Sequence, residues 1–273
     1  MKHRASARKN LSARGTSTKA RTSGRRLVAC VDNQGQEASL ERNKIHVLVT
    51  DEDAECRPFL DLDADPTVQG LLQLPAQSNG DTVVLTHGAG ANCRSRLLAE
   101  MSAALAASGF TVLRFDLPFR QLRPHGPPSF GGAARDRDGV RRAATLMRGR
   151  TPGRLFLGGH SYGGRQASML VSEEPQLVDG VLLLSYPLHP PRKPGELRTK
   201  HFPKLTRPAF FVHGTHDPFA TIAEMKSALE MIPAFHSLLE VDGAGHDLLS
   251  RKTAGEWPTR IVKEFQRFLK QIA

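Results

Sequence analysis

A serine, an aspartate and a histidine stand in three glycine-bearing segments of this chain. Ser161 lies in Gly159-His160-Ser161-Tyr162-Gly163, Asp217 in Gly214-Thr215-His216-Asp217-Pro218, and His246 in Gly243-Ala244-Gly245-His246-Asp247. Together these side chains have the chemistry of acyl transfer. A hydroxyl is a poor nucleophile until a neighbouring base takes its proton, and imidazole titrates near neutrality, so His246 is the candidate base. A carboxylate beside the imidazole holds its tautomer and stabilises the imidazolium that forms, which is the role expected of Asp217. The order Ser…Asp…His is the one that a doubly wound α/β architecture uses for such a triad.

Ser161 is the most sharply marked of the three. An apolar run, Arg154-Leu155-Phe156-Leu157, precedes it and a helical pattern from Arg165 follows. Strand, glycine-flanked serine, helix is the context of a nucleophile elbow. A residue held at strained dihedrals between a strand and a helix tolerates no bulky neighbours at −2 and +2, and Gly159 and Gly163 fill those positions. G-x-S-x-G alone is a weak pattern; its context and its partners decide its meaning.

An oxyanion must also be stabilised. The backbone N–H groups of Tyr162 and of Ala89, in the loop His87-Gly88-Ala89-Gly90, are the candidate donors, each worth on the order of 3 kcal/mol. Leu117, Phe119, Arg165 and His189, with Tyr162, are the candidate pocket lining, several of them equally suited to packing. His213 and His216 compete with His246 as the imidazole, and Asp242 and Asp247 with Asp217 as the acid. Asp217 is favoured because it follows a buried strand directly and precedes Pro218, which fixes the turn. His87 and His160 are expected to flank the site through hydrogen bonds. No segment has convincing metal-ligand spacing, so neither metal nor cofactor is expected.

These residues need a scaffold. Strand patterns fall at residues 44–50, 70–74, 82–86, 111–115, 154–157, 180–185, 209–214 and 236–241, with helical patterns at 92–108, 134–148, 165–174, 220–231 and from 257 to the end. Residues 51–66 read as an acidic loop, 120–134 as a Pro/Gly-rich mobile loop, and 186–208 as an irregular, proline-rich excursion too short for a cap domain. Strands alternating with helices predict one doubly wound, mostly parallel sheet, with ligands gathered beyond the carboxyl ends of its strands. The loops 87–92, 159–164, 214–218 and 242–247 all belong at that rim.

Composition bounds the rest. Hydrophobic residues make up 39% of the 273 and charged residues 24%, which suits a soluble globular core, and no apolar run reaches membrane-spanning length. The net charge of +11 resembles a nucleic-acid signature, but residues 1–26 hold nine Lys or Arg and no acid, leaving +2 for residues 27–273. A basic tail at 1–26, too polar to fold, therefore precedes a nearly neutral domain at 27–273. The tail reads as a disordered extension or a mis-assigned start; an Arg- and Ser-rich targeting peptide and a phosphate-binding arm are the alternatives. It has no aromatic residue to stack a base, which argues against nucleic acid. Cys30, Cys56 and Cys93 read as reduced thiols of a cytoplasmic protein, with Cys93 a small buried hydrophobe.

The four rim motifs together resemble those of the α/β-hydrolase superfamily. Ser185-Tyr186-Pro187-Leu188-His189-Pro190-Pro191, with its continuation to Phe202-Pro203, is similar to a dienelactone-hydrolase-like branch that includes NSL-complex-subunit and testis-expressed-protein relatives. The resemblance covers about residues 70–273. It implies an α/β-hydrolase fold with a minimal cap, and a serine hydrolase of the esterase or thioesterase kind acting on a small carboxylic ester. Dienelactone hydrolases proper carry Cys at the elbow, so their substrate is not carried over to Ser161. Some relatives serve as assembly subunits, so the competing expectation is a catalytically silent interaction protein on the same fold. Arg165 and the basic stretch Arg192, Lys193, Arg198 and Lys200 hint at an acidic substrate or are solvated surface charge; no feature fixes an oligomeric state.

Overall fold

Fully buried strands make the centre of the molecule. In a computed structural model that describes residues 56–272, apart from 64, 130 and 249–255, eight strands form one sheet in the order β1-β2-β4-β3-β5-β6-β7-β8. The strands are β1 (Cys56–Asp61), β2 (Val68–Gln73), β3 (Thr82–Thr86), β4 (Thr111–Phe115), β5 (Leu155–His160), β6 (Gly180–Leu184), β7 (Ala209–Gly214) and β8 (His236–Val241). From β4 to β8 all neighbours pair in parallel, while β2 pairs antiparallel with both β1 and β4. Every residue of β3, β6 and β7 is buried, as their apolar runs require when helices cover both faces.

The helices are α1 (Arg96–Ala107), α2 (Pro118–Leu122), α3 (Ala133–Arg148), α4 (Tyr162–Glu173), α5 (Ile222–Leu229) and α6 (Trp257–Gln271). α1 and α6 cover one face, where Leu98, Met101 and Leu105 meet Ile261, Phe265 and Phe268. α3, α4 and α5 cover the other through Val140, Ala144, Leu170, Val171 and Met225. All the described residues fall in a single compact unit. None of their helices is long and apolar enough to cross a membrane.

Two sequence expectations are corrected. Within 51–66, read as a loop, Cys56–Asp61 forms an edge strand; only Phe59 and Asp61 of it are buried, and Asp61 takes an ion pair from Arg142 at 3.2 Å. An outer strand needs few apolar residues and tolerates Pro58, so its pattern is too faint to read. Residues 118–122, whose last three fall in the stretch 120–134 read as a Pro/Gly loop, are helical, with Pro118 in the first turn, where its missing N–H costs nothing. The expected strand at 44–50, the 26/27 boundary, the tail and Cys30 lie outside the described residues. The excursion 186–208 is anchored: Tyr186, Phe202 and Phe211 pack ring against ring, and Tyr186 OH donates to the Arg198 carbonyl at 2.6 Å.

Candidate active site

The tight turn between β5 and α4 sets Ser161 at φ 51°, ψ −116°, a conformation that non-glycine residues rarely adopt. Two hydrogen bonds hold it: Ser161 N–H donates to the Leu184 carbonyl at 2.9 Å, and Arg165 N–H donates to the Ser161 carbonyl at 2.9 Å. The flanking glycines are required by crowding. A Cβ on Gly159 would lie 2.3 Å from the Thr86 carbonyl oxygen, and one on Gly163 2.6 Å from that of His87. The backbone of β3 thus runs directly against the elbow.

His246, in the loop after β8, brings Nε2 to 2.8 Å from Ser161 Oγ and Nδ1 to 2.8 Å from Asp217 Oδ2. A carboxylate only accepts, so Nδ1 carries the proton and Nε2 is left bare to accept the serine hydroxyl. The Asp217 side chain is fully buried, and its Oδ1 accepts the Phe219 N–H at 2.9 Å. Phe219 lies over the His246 ring at 4.2 Å, and His160 Nε2–H donates to the His246 carbonyl at 2.7 Å. Burial first, then the neighbouring His246, lower the pKa of His160 to about 4, so it acts as a neutral donor.

Of the competing groups, His213 and Asp242 have partners of their own. His213 is buried and donates from Nε2 to the Ala220 carbonyl at 3.0 Å, with burial lowering its pKa. His216 is exposed, and Asp242 is exposed beside Thr215 at 3.5 Å. The Cys93 thiol is pushed up to about 12 by burial and then by Asp116, which leaves it protonated and unreactive.

Around the elbow, Tyr162 opens α4, and its N–H is one of the orphan donors of a first helical turn. The loop carrying Ala89 comes within van der Waals reach: a Cβ on Gly88 would lie 3.4 Å from Ser161 Cβ and 2.9 Å from His160 Nδ1. His87 ties this loop to the one after β4, donating from Nδ1 to the Gly88 carbonyl at 2.9 Å and accepting the Leu117 N–H on Nε2 at 3.1 Å. Leu117 and Phe119 are buried in the core beneath, at 0% and 5% exposure, the Phe119 ring edge-on to Tyr162 at 5.8 Å. Arg165 is half-buried, and its Nε is a buried donor with no hydrogen-bond partner among the described residues. His189 turns Nδ1 to its neighbour's Pro190 carbonyl at 2.8 Å, while its N–H donates to the Phe219 carbonyl at 3.2 Å.

One contributor carries no sequence signal. Asp136, fully buried on α3, accepts the Tyr162 hydroxyl at 2.7 Å and the Phe119 N–H at 3.0 Å. It fixes the Tyr162 side chain, whose own pKa is raised by burial and then by this carboxylate. In the sequence Asp136 is merely an acid in the first turn of a helix.

Comparison with known proteins agrees with this architecture. The model of an alpha/beta hydrolase domain matches residues 79–273, well over half the chain. A dienelactone hydrolase from Anabaena variabilis is similar at 19% identity over 78% of this chain and 98% of its own, with a TM-score of 0.63. Est1E from Butyrivibrio proteoclasticus is similar at 16% identity, 80% and 99% coverage and a TM-score of 0.61. A member of the α/β serine hydrolases without a lid, from Xanthomonas campestris, is similar at 14% identity, 79% and 95% coverage and a TM-score of 0.59. By the span of the family match and by its sheet, this chain belongs to the alpha/beta hydrolase domain family.

Proposed function

We propose that the protein is a serine hydrolase that cleaves a small carboxylic ester or thioester through an acyl-enzyme. The observation that carries this reading is the unbroken chain of two 2.8 Å contacts from Ser161 Oγ through His246 to Asp217, ending on a serine in a strained turn. In this mechanism Ser161 Oγ forms a bond to the acyl carbon while its proton passes to His246 Nε2. The carbonyl electrons move onto oxygen, where the N–H groups of Tyr162 and Ala89 meet the charge. Collapse breaks the bond to the leaving alkoxide or thiolate, which takes the proton from His246. Water, activated by the same imidazole, then releases the acid.

A catalytically silent scaffold would carry the strain at Ser161 without using it, and no observation favours that reading. The free thiols of Cys56 and Cys93 fit a reducing compartment, the cytoplasm in this reading. The test is a panel of short-chain esters and thioesters with mass spectrometry of the trapped intermediate. The expected result is turnover with an acyl mass on the peptide containing Ser161, and a loss of about 10⁶-fold in kcat for Ser161→Ala. Turnover undiminished in Ser161→Ala would refute the assignment.

A further inference from the structure

In the loop His87-Gly88-Ala89-Gly90-Ala91 the first two residues are buried, but the stretch Ala89-Gly90-Ala91, which carries one of the two oxyanion donors in the reading above, has little packed against it. Gly90 has open space where a Cβ would stand, and Ala89 and Ala91 are only half-buried. A glycine-rich loop of this kind has many backbone conformations and needs something to select one. Side-chain packing does not supply it here.

Arg120 does. It stands on α2, 6% exposed, and among the described residues no carboxylate pairs with it within ion-pair distance. Its guanidinium donates only to backbone carbonyls: Nε to Ala91 at 2.7 Å, Nη2 to Ala89 at 2.8 Å and to Gly126 at 3.0 Å, and Nη1 to Arg123 at 3.2 Å. The face of the group rests on the Phe119 ring, with the guanidinium carbon 4.9 Å from its centroid. Four of the five N–H donors are thus used, which is what a buried cation lacking a counter-carboxylate requires.

The acceptors are the informative part. A trans peptide is a rigid plane, so fixing its carbonyl fixes its N–H on the opposite side. His87 Nδ1 and the Ala91 N–H both donate to the Gly88 carbonyl, at 2.9 and 3.1 Å, and hold the plane that ends in the Ala89 N–H. Arg120 holds the next plane through the Ala89 carbonyl, and a third through that of Ala91. Both planes flanking the Ala89 Cα are therefore pinned, and its dihedrals have no freedom left. The same group ties down Arg123 and Gly126, so the proline-rich loop after α2 and the glycine-rich loop after β3 share one cation.

We propose that Arg120 is a positioning residue for the oxyanion hole: its guanidinium fixes the peptide planes around Ala89 so that the N–H is aimed before substrate arrives. The inference rests on the reading of Ser161 as the acyl nucleophile. A donor displaced by about 1 Å costs on the order of 10²-fold in rate. Lysine at this position keeps the charge but is a point donor on a flexible stem, and cannot meet Ala89, Ala91 and Gly126 in one plane.

The experiment measures labelling of the full-length protein by a fluorophosphonate, whose P=O occupies the oxyanion position as Ser161 attacks. The maximal labelling rate and the half-saturating probe concentration are measured separately for wild type, Arg120→Lys and Arg120→Ala. The expected result is a maximal rate lowered about 10²-fold in Arg120→Ala and at least about tenfold in Arg120→Lys, with half-saturation nearly unchanged. Added guanidinium, below denaturing concentration, should raise the rate of Arg120→Ala and leave that of Arg120→Lys where it is. Arg120→Lys guards against a failure of Arg120→Ala to fold, because it retains the stem and the charge. A wild-type maximal rate in Arg120→Lys, or a loss confined to half-saturation, overturns the inference while leaving the nucleophile intact. Labelling that survives Ser161→Ala, or none in the wild type, removes the nucleophile reading and this inference with it.

Discussion

Asp217 owes its place in the site to the partners of its two oxygens. Oδ1 accepts the Phe219 N–H two residues on, a local turn that aims Oδ2 at His246 Nδ1, and the side chain has no exposed surface. His213 Nε2 stands 3.8 Å from the same oxygen, but its donor is directed to Ala220, so His246 is the imidazole that Asp217 serves. Asn in its place keeps size and polarity but offers an N–H₂ where the imidazole also presents an N–H. The ring then turns to its other tautomer and presents a protonated Nε2 to Ser161. Asp217→Asn is expected to lower kcat by about 10⁴-fold, the size of that tautomer effect in serine proteases. The measurement is kcat on any ester the panel yields, against a melting curve; loss of less than tenfold in a folded protein would remove Asp217 from the proposed mechanism.

The elbow shows how elements, rather than single side chains, create the strained serine. β5 leads into the turn, α4 leaves it, and the end of β3 packs so closely that Gly163 has the His87 carbonyl and the Thr86 side chain at 2.6 and 2.7 Å from where a Cβ would be. Gly163→Ala therefore forces strand from helix, and is expected to cost about 3 kcal/mol, the upper part of the overpacking range. Urea unfolding of the two proteins measures it, and a difference below about 1 kcal/mol would mean that the contact relaxes freely. This pair of glycines was legible in the sequence because the requirement is local: small residues at −2 and +2. The buried strands were legible for the same kind of reason, since β3, β6 and β7 announce burial on both faces by unbroken apolar runs. β1 was not, because an edge strand with one polar side buries little more than Phe59 and Asp61. Arg120 and Asp136 were illegible for a deeper reason. Arg120 donates only to backbone carbonyls, which every residue possesses, and Asp136 accepts one backbone N–H and a hydroxyl 26 residues away, so no local pattern in the sequence marks either contact. Where the candidate triad sits in the chain could be read; what holds its surroundings rigid could not.

At the scale of the whole molecule, several histidines are folded into places that suit only the neutral ring. His160 and His201 have pKa values lowered to about 4, by burial first and then by the neighbouring charges of His246 and Arg165 respectively; burial lowers His87 and His213 as well. Each of these rings also has a structural contact: His160 holds the His246 carbonyl, His213 the Ala220 carbonyl, His201 Nε2 meets Ser168 Oγ at 2.8 Å, and His87, which both donates and accepts, needs the neutral form outright. In the unfolded chain these rings take a proton below about 6.5, whereas in the native state His160 and His201 resist it until about 4. Between those values the unfolded state binds more protons, so stability falls as pH falls; above the unfolded pKa the full stability is present. His160 and His201 together are expected to remove several kcal/mol, roughly 3 from each at most, between pH 7 and pH 4. Asp179, lowered by its hydrogen bonds from Leu155 and Arg148 against a burial effect that opposes them, extends the loss below pH 4. Urea unfolding at intervals from pH 7.5 to 4 checks this, and His201→Gln, which keeps a donor and an acceptor without a titrating ring, should flatten the curve by its own share. An unfolding free energy constant across that range would mean that these rings gain their protons without opening the fold, and that the site's surroundings are softer than the packing about Ser161 implies.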